Sequence, residues 1–268
     1  MGKIKNMNSE ITKKIQSELD SLEKSKKITI LYACESGSRA WGFESKDSDY
    51  DVRFIYICST KHYLSIYNKK DVVEKPIDGE LDISGWDIVK ALHLFRKSNP
   101  PLLEWLQSPI IYREKGGFIS KMKNLMPDYY SPISCMYHYL HMAQGNYREY
   151  LHGEEVRIKK YLYVLRPVLG CIWIERGLGV VSTEFQVLVD KLIEDKDLRR
   201  AIDVLLENKK QGKELDYGIK IPEISKFLDE HIKRLTGEHQ RPALSKNTKT
   251  LEQLFHETLI EINGPNIL

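Results

Sequence analysis

The sequence predicts an α+β protein in two parts, an α/β domain followed by an all-α domain. Two observations carry this. Up to about Tyr112, short apolar runs with strand character (Ile28–Ala33, Tyr50–Ile57, Glu80–Ser84) alternate with helical stretches. From about Lys115 onward the apolar spacing is helical almost throughout. Pro127-Asp128 interrupts the pattern between the two regimes, which places the domains at residues 1–128 and 129–268.

The elements follow in order. Ser9 is a candidate cap for a helix through about Lys24, with Ile11, Ile15, Leu19 and Leu22 on one stripe. Ile28–Ala33 reads as a buried strand, Gly37-Ser38 as a tight turn into a short helix, and Tyr50–Ile57 as the next strand. Lys61–Tyr67 is a helix or loop. Asp71–Lys75 and Ile77–Ser84 are expected to pair, with Pro76 and Asp78-Gly79 leaving the turn open. A helix from about Trp86 to Lys97 turns Ile88, Ala91, Leu92 and Phe95 inward. Asn99-Pro100-Pro101 then starts Leu102–Gln107, proline being well tolerated in a first helical turn, and Ile110–Tyr112 reads as an edge strand. Expected helices in the second half are Gly117–Leu125, Ser134–Leu151, Val156–Arg176, Ser182–Ile193, Lys196–Lys210, Ile221–Thr236 and Thr250–Asn263, with Pro167 kinking or dividing Val156–Arg176. The chain has no internal repeat.

Composition narrows the function classes. Over 268 residues, 41% are hydrophobic and 29% charged, values of a folded globular protein. The net charge of +3, from 41 basic and 38 acidic residues, makes no general case for nucleic acid, so any basic surface must be local. No apolar run is long enough to cross a membrane, and residues 1–10 lack an apolar signal-peptide core, so the cytoplasm is the expected location. Cys34, Cys58, Cys135 and Cys171 form no Cys-x-x-Cys pair, which argues against a zinc site.

The chemistry concentrates between Cys34 and Ile57. On a strand, Asp49 and Asp51 point to one face and Tyr50 and Val52 to the other. Two adjacent carboxylates repel unless a cation lies between them, and a hard divalent ion such as Mg2+ suits oxygen ligands. The Gly37-Ser38 turn presents backbone N–H groups and a hydroxyl to an anion, and Arg39 beside it carries a fork that matches phosphate oxygens. Strand, Gly-Ser turn, short helix, then a strand bearing Asp-x-Asp outlines a nucleoside triphosphate site.

Gly37-Ser38, the spacer Arg39–Ser48 and Asp49-Tyr50-Asp51-Val52 resemble the signature of the DNA polymerase β-like nucleotidyltransferase superfamily. The fuller wording, Gly-Ser-Arg-Ala-Trp-Gly-Phe, Ser-Asp-Tyr-Asp-Val-Arg, Leu-Asp-Ile-Ser-Gly-Trp-Asp and Ser-Asn-Pro-Pro-Leu-Leu-Glu-Trp, is similar to a bacterial and phage group of RNA-repair-associated nucleotidyltransferases (RlaP-like). The resemblance covers most of the chain. It implies a nucleotidyltransferase α/β domain with a mixed sheet, followed by a helical domain that binds substrate or nucleotide. It also implies a third carboxylate from a later strand, for which Asp82 is chosen; Glu80 has the same strand parity and is the alternative, while Asp87 reads as a helix cap. In related enzymes the helical domain contributes lysine and tyrosine to the triphosphate, and by that analogy Lys160, Tyr163 and Arg166 are candidates. His138 and His141 share a helix face, read as a packing or substrate-contact face rather than a metal site, and the tyrosines around Tyr137 and Tyr147 read mostly as packing residues.

The activity implied is two-metal nucleotidyl transfer with two Mg2+ or Mn2+ ions held by Asp49, Asp51 and Asp82. An NTP donates its nucleoside monophosphate to an acceptor hydroxyl, with an RNA end as first choice, and pyrophosphate leaves. Transfer to a protein or small-molecule hydroxyl, and a non-catalytic nucleotide- or RNA-binding module, are the alternatives.

Overall fold

A computed structural model of the protein describes residues 9–67, 69–212, 217–236 and 248–264. Residues 1–8, within the stretch expected to lack a signal-peptide core, and the side chain of Ser9 with its expected cap lie outside the described residues.

In chain order the first half runs α1 (Ser9–Lys26), β1 (Thr29–Glu35), α2 (Gly37–Trp41), β2 (Tyr50–Ile57), α3 (Thr60–Tyr63), β3 (Val72–Glu74), β4 (Leu81–Asp87), α4 (Ile88–Arg96), α5 (Pro100–Leu106), β5 (Ile111–Glu114) and α6 (Phe118–Tyr129). The five strands form one sheet in the order β3-β4-β2-β1-β5. Pairing is antiparallel except between β2 and β4, which run parallel, so the sheet is mixed as the resemblance implies. A parallel neighbour requires a crossover, and the chain between β2 and β4 supplies it.

Strand alternation divides the core. On one face Ile30, Ala33, Val52, Phe54 and Ile83 bury against Ile15, Leu19 and Leu22 of α1. On the other, Leu31, Ile55 and Ile57 pack with α4, α5 and α6 in a cluster that continues without a break into the second half of the chain. Each fully buried aliphatic or phenylalanine side chain contributes about 1.5–3 kcal/mol. Asp87 ends β4 and caps α4, its carboxylate accepting from Val89 N at 2.8 Å, so Trp86 and Asp87 belong to the strand rather than to the helix expected there.

The second half continues with α7 (Pro132–Tyr150), β6 (Glu155–Arg157), a 3-10 turn (Ile158–Lys160), α8 (Tyr161–Glu175), α9 (Phe185–Leu192), α10 (Lys196–Lys210), β7 (Tyr217–Ile219), α11 (Pro222–Leu235) and α12 (Thr248–Asn263). Two expectations are corrected and a third is narrowed. Val156 lies in β6, paired with β7, so the third helix of this half starts five residues later, at Tyr161. Pro127 sits inside α6 and does not break it. Pro167 does not divide α8: lacking an N–H, it leaves the Tyr163 carbonyl without its helical donor, and Asn146 Nδ2 donates to that oxygen at 3.1 Å. α12 returns to the first half, where Lys121 pairs with Glu257 at 2.8 Å and Phe255 meets Tyr63 edge to face at 5.1 Å.

Candidate active site

The parallel pairing of β2 with β4 sets Asp51 directly opposite Asp82. Asp51, Arg53, Ile55 and Ile57 share the strand face that looks toward the helical half, because side chains alternate. Glu80, the parity alternative, precedes β4, is exposed, and offers its backbone carbonyl to Tyr50 N at 2.7 Å. Between the paired carboxylates sits the Arg53 guanidinium, with Nη2 3.0 Å from Asp51 Oδ1 and 2.7 Å from Asp82 Oδ2. Asp49 lies exposed just before β2. Burial holds the Asp51 carboxyl above its ordinary pKa; Arg53 pulls it back, and the charges of Asp82 and Asp49 push it up again.

The Gly-Ser turn approaches Asp51 closely. Gly37 has φ +57°, and a Cβ added there would fall 2.0 Å from Asp51 Oδ2. Glycine is therefore required twice, for its left-handed backbone and for the space the carboxylate occupies. Ser38 follows, buried, in α2. Arg39 is engaged with the chain just before β2: Nη2 donates to Ser48 O at 2.5 Å and Nε to Asp49 O at 3.1 Å, and the guanidinium lies 3.6 Å from the Tyr50 ring centroid. In this position it braces the loop that carries Asp49.

Behind Asp51 lies Glu35, fully buried at the end of β1. Its Oε1 accepts from Asp51 N at 2.7 Å, its Oε2 accepts from the Tyr112 hydroxyl, and Ser108 Oγ donates to its backbone carbonyl at 2.6 Å. Burial raises the Glu35 pKa to about 7, against the lowering effect of its two hydrogen bonds.

The helical half supplies the facing wall. Tyr163 packs edge-on against Trp41 at 5.7 Å, and its phenol pKa is raised by burial and then by the charges of Asp51 and Asp49. Lys160 Nζ lies 4.8 Å from the Tyr163 ring and 4.4 Å from the Tyr150 ring; burial, then Lys159 and Arg157, lower its pKa. Lys209 reaches to 6.0 Å from the Phe43 ring and is lowered by burial and by Lys159.

Arg166 meets this wall at Trp41, its guanidinium 4.7 Å from the ring centroid, and its charge is engaged elsewhere. It is 3% exposed, with Nη1 2.6 Å from Glu104 Oε1. Trp41 Nε1 and the Tyr139 hydroxyl donate to the same carboxylate at 3.0 and 3.1 Å. Glu104 on α5 therefore ties α2, α7 and α8 together. Lys160 ends the 3-10 turn that leads into α8, and Arg166 follows six residues later, on a different patch. His138 and His141 sit on α7, the latter against Tyr137 with ring centroids 4.3 Å apart.

A family model described as the RNA repair pathway DNA polymerase beta family (RlaP) matches residues 11–257. The chain belongs to this family. It is also 44% identical over 251 residues to the "Uncharacterized protein YcgL" of Bacillus subtilis (strain 168), covering 93% of this chain and 96% of that one. The crystal structure of a nucleotidyltransferase-like protein from Exiguobacterium sibiricum 255-15 aligns with 94% of this chain and 90% of its own, at 10% identity and a TM-score of 0.32. Membership makes this an RNA-repair polymerase β-type nucleotidyltransferase family chain, a family for which NTP substrates and divalent metals are the rule.

The donor set fits such a metal. Asp51 and Asp82 offer hard oxygens side by side, with Asp49 at the strand entrance, and the guanidinium between the first two shows that the pair accepts positive charge. Sequence reasoning missed Arg53 and Glu35. Arg53 carried a usable signal, since it lies two residues past Asp51 and so on the same face. Glu35 ends an apolar run and declares itself only through the contacts of β1 with Asp51 and Tyr112. Among the described residues no helix is long and apolar enough to cross a membrane.

Proposed function

We propose that this protein transfers a nucleoside monophosphate from an NTP to the hydroxyl of an RNA end. The observation that carries the reading is the side-by-side placement of Asp51 and Asp82, with the Gly37 backbone against the Asp51 carboxylate. Asp49, Asp51 and Asp82 would hold two Mg2+ or Mn2+ ions. When bound, the ions acidify the acceptor hydroxyl and offset charge on the triphosphate and leaving pyrophosphate.

The chain's own residues do the rest. Asp82 takes the proton of the attacking hydroxyl. The Gly37-Ser38 turn offers backbone N–H groups and the Ser38 hydroxyl to the β and γ phosphates. Tyr163 offers a ring face for stacking, and Lys160 beside it offers charge to a phosphate. Lys160 beside the Tyr163 ring sets a cation next to an aromatic face, which supports RNA as the acceptor over a neutral small molecule. Arg166 has no part in binding, since its guanidinium is committed to Glu104.

Incubation with each of the four NTPs labelled at the α-phosphate, with Mg2+ and either total RNA or total protein, tests the reading. Label on RNA ends supports it. Label on protein moves the acceptor to a protein hydroxyl, and no transfer from any NTP to either rejects it.

A further inference from the structure

A second donor cluster lies at the opposite end of the same two strands. Cys58 directly follows β2, His62 stands in α3, and Asp87 ends β4. One ligand atom from each, the Cys58 Sγ, a His62 ring nitrogen and an Asp87 oxygen, all fall within 4.8 Å of one another. Cys58 is seven residues past Asp51, roughly 23 Å along the strand at ~3.3 Å per residue, so the cluster is separate from the acidic site.

The surroundings orient these donors. The Tyr63 hydroxyl accepts from Cys58 N at 2.9 Å and donates to Asp87 Oδ2 at 2.9 Å, while Val89 N donates to Asp87 Oδ1 at 2.8 Å. Hydrogen bonds of this kind fix the direction of a ligand before the ion arrives. Cys58 and Asp87 are 7% and 4% exposed, so a thiolate and a carboxylate would be buried together. Their two negative charges, with a neutral imidazole, are balanced by one dication. A cavity of about 510 Å³ opens on Cys58 and His62 and leaves room for a water as fourth ligand. Sulfur, nitrogen and one carboxylate oxygen suit a borderline-soft tetrahedral ion and disfavour Mg2+.

We propose that Cys58, His62 and Asp87 form a Zn2+ site, distinct from the active site, that clamps the ends of β2 and β4 to α3. The missing Cys-x-x-Cys pair, which argued against zinc in the sequence, does not bear on it, because the donors come from three separate elements. The clamp sits beneath the returning C-terminal helix: Asn263 Nδ2 donates to the Cys58 carbonyl at 3.1 Å, and Tyr63 of α3 meets Phe255.

Cobalt substitution of the full chain, stripped with a chelator, tests this. One equivalent of Co2+ should give tetrahedral visible bands and a near-ultraviolet thiolate-to-cobalt band, both bleached by one equivalent of Zn2+. Asp51→Asn should keep both, and Cys58→Ser should lose the thiolate band. His62→Ala should weaken Co2+ binding at least tenfold, and this half-buried position serves as the reading if Cys58→Ser does not fold. Absence of the thiolate band in the wild type, its persistence in Cys58→Ser, or unchanged Co2+ affinity in His62→Ala would overturn the site.

Discussion

Asp51 and Asp82 are register partners on adjacent parallel strands, and Arg53, two residues past Asp51 on the same face, holds a nitrogen within 3.0 Å of both carboxylates. The arginine neutralises the pair in the absence of metal and competes with metal for the same oxygens. Arg53→Met should therefore tighten Mn2+ binding while lowering metal-free stability by about 1 kcal/mol, a modest value because the carboxylates are partly exposed. Isothermal titration with Mn2+ and thermal melting in chelator check the two halves; weaker Mn2+ binding in the variant would show that Arg53 assists the ion instead.

Gly37→Ala should damage the site more than the fold. A left-handed alanine costs about 1–2 kcal/mol, and its methyl would claim the position of the Asp51 carboxylate. Metal affinity should fall by more than the stability loss explains. A variant that melts slightly lower yet binds Mn2+ as the wild type does would contradict the close approach.

Glu35 predicts a pH dependence. Its folded pKa of about 7 lies above the ordinary 4.5, because burial disfavours the charged form. The folded state thus binds the proton more tightly than the unfolded chain. The stability it contributes is fully present below about pH 4.5 and is lost as pH rises through about 7. The shift corresponds to at most about 3 kcal/mol. Glu35→Gln, which can still accept from Asp51 N, should flatten the decline between pH 5 and 7.5 in metal-free denaturant unfolding. An unchanged slope would show that this carboxyl does not titrate there.

Lys160 and Arg166 should separate cleanly. Lys160→Ala should weaken binding of a non-hydrolysable NTP analogue with Mg2+, and reduce its salt dependence, without altering the melting temperature. Arg166→Met should cost about 3–5 kcal/mol of stability, because Glu104 is left as an unpaired buried charge. Unchanged analogue affinity in Lys160→Ala would remove that lysine from the triphosphate site.

How far the sequence discloses this arrangement depends on the range of each interaction. Gly37, Ser38 and Asp51 are legible because a turn and a strand place them by local rules, with Asp49 just before the strand, and Tyr50–Ile57 forms the strand its apolar run predicts. The choice between Asp82 and Glu80 is not legible, since both have the same parity; it needs the register of two parallel strands, which local pattern does not encode. Arg166 has a partner that local pattern does not show, for a related reason. Its charge pointed to a ligand, but its partner Glu104 lies 62 residues away and only tertiary packing joins them. Val156 fails because β6 finds its partner in β7, some sixty residues later, and tertiary pairing overrides helical spacing there.

The most direct test of the three-carboxylate site is pyrophosphate release from NTP and RNA with Mg2+ for the wild type, Asp51→Asn, Asp82→Asn and Glu80→Gln, each checked for an unchanged fold. Metal-dependent release by the wild type and Glu80→Gln, with release abolished in both aspartate variants, is the predicted result. Near-full release by Asp82→Asn, or its loss in Glu80→Gln with Asp82→Asn active, would contradict the site built on the pairing of β2 with β4.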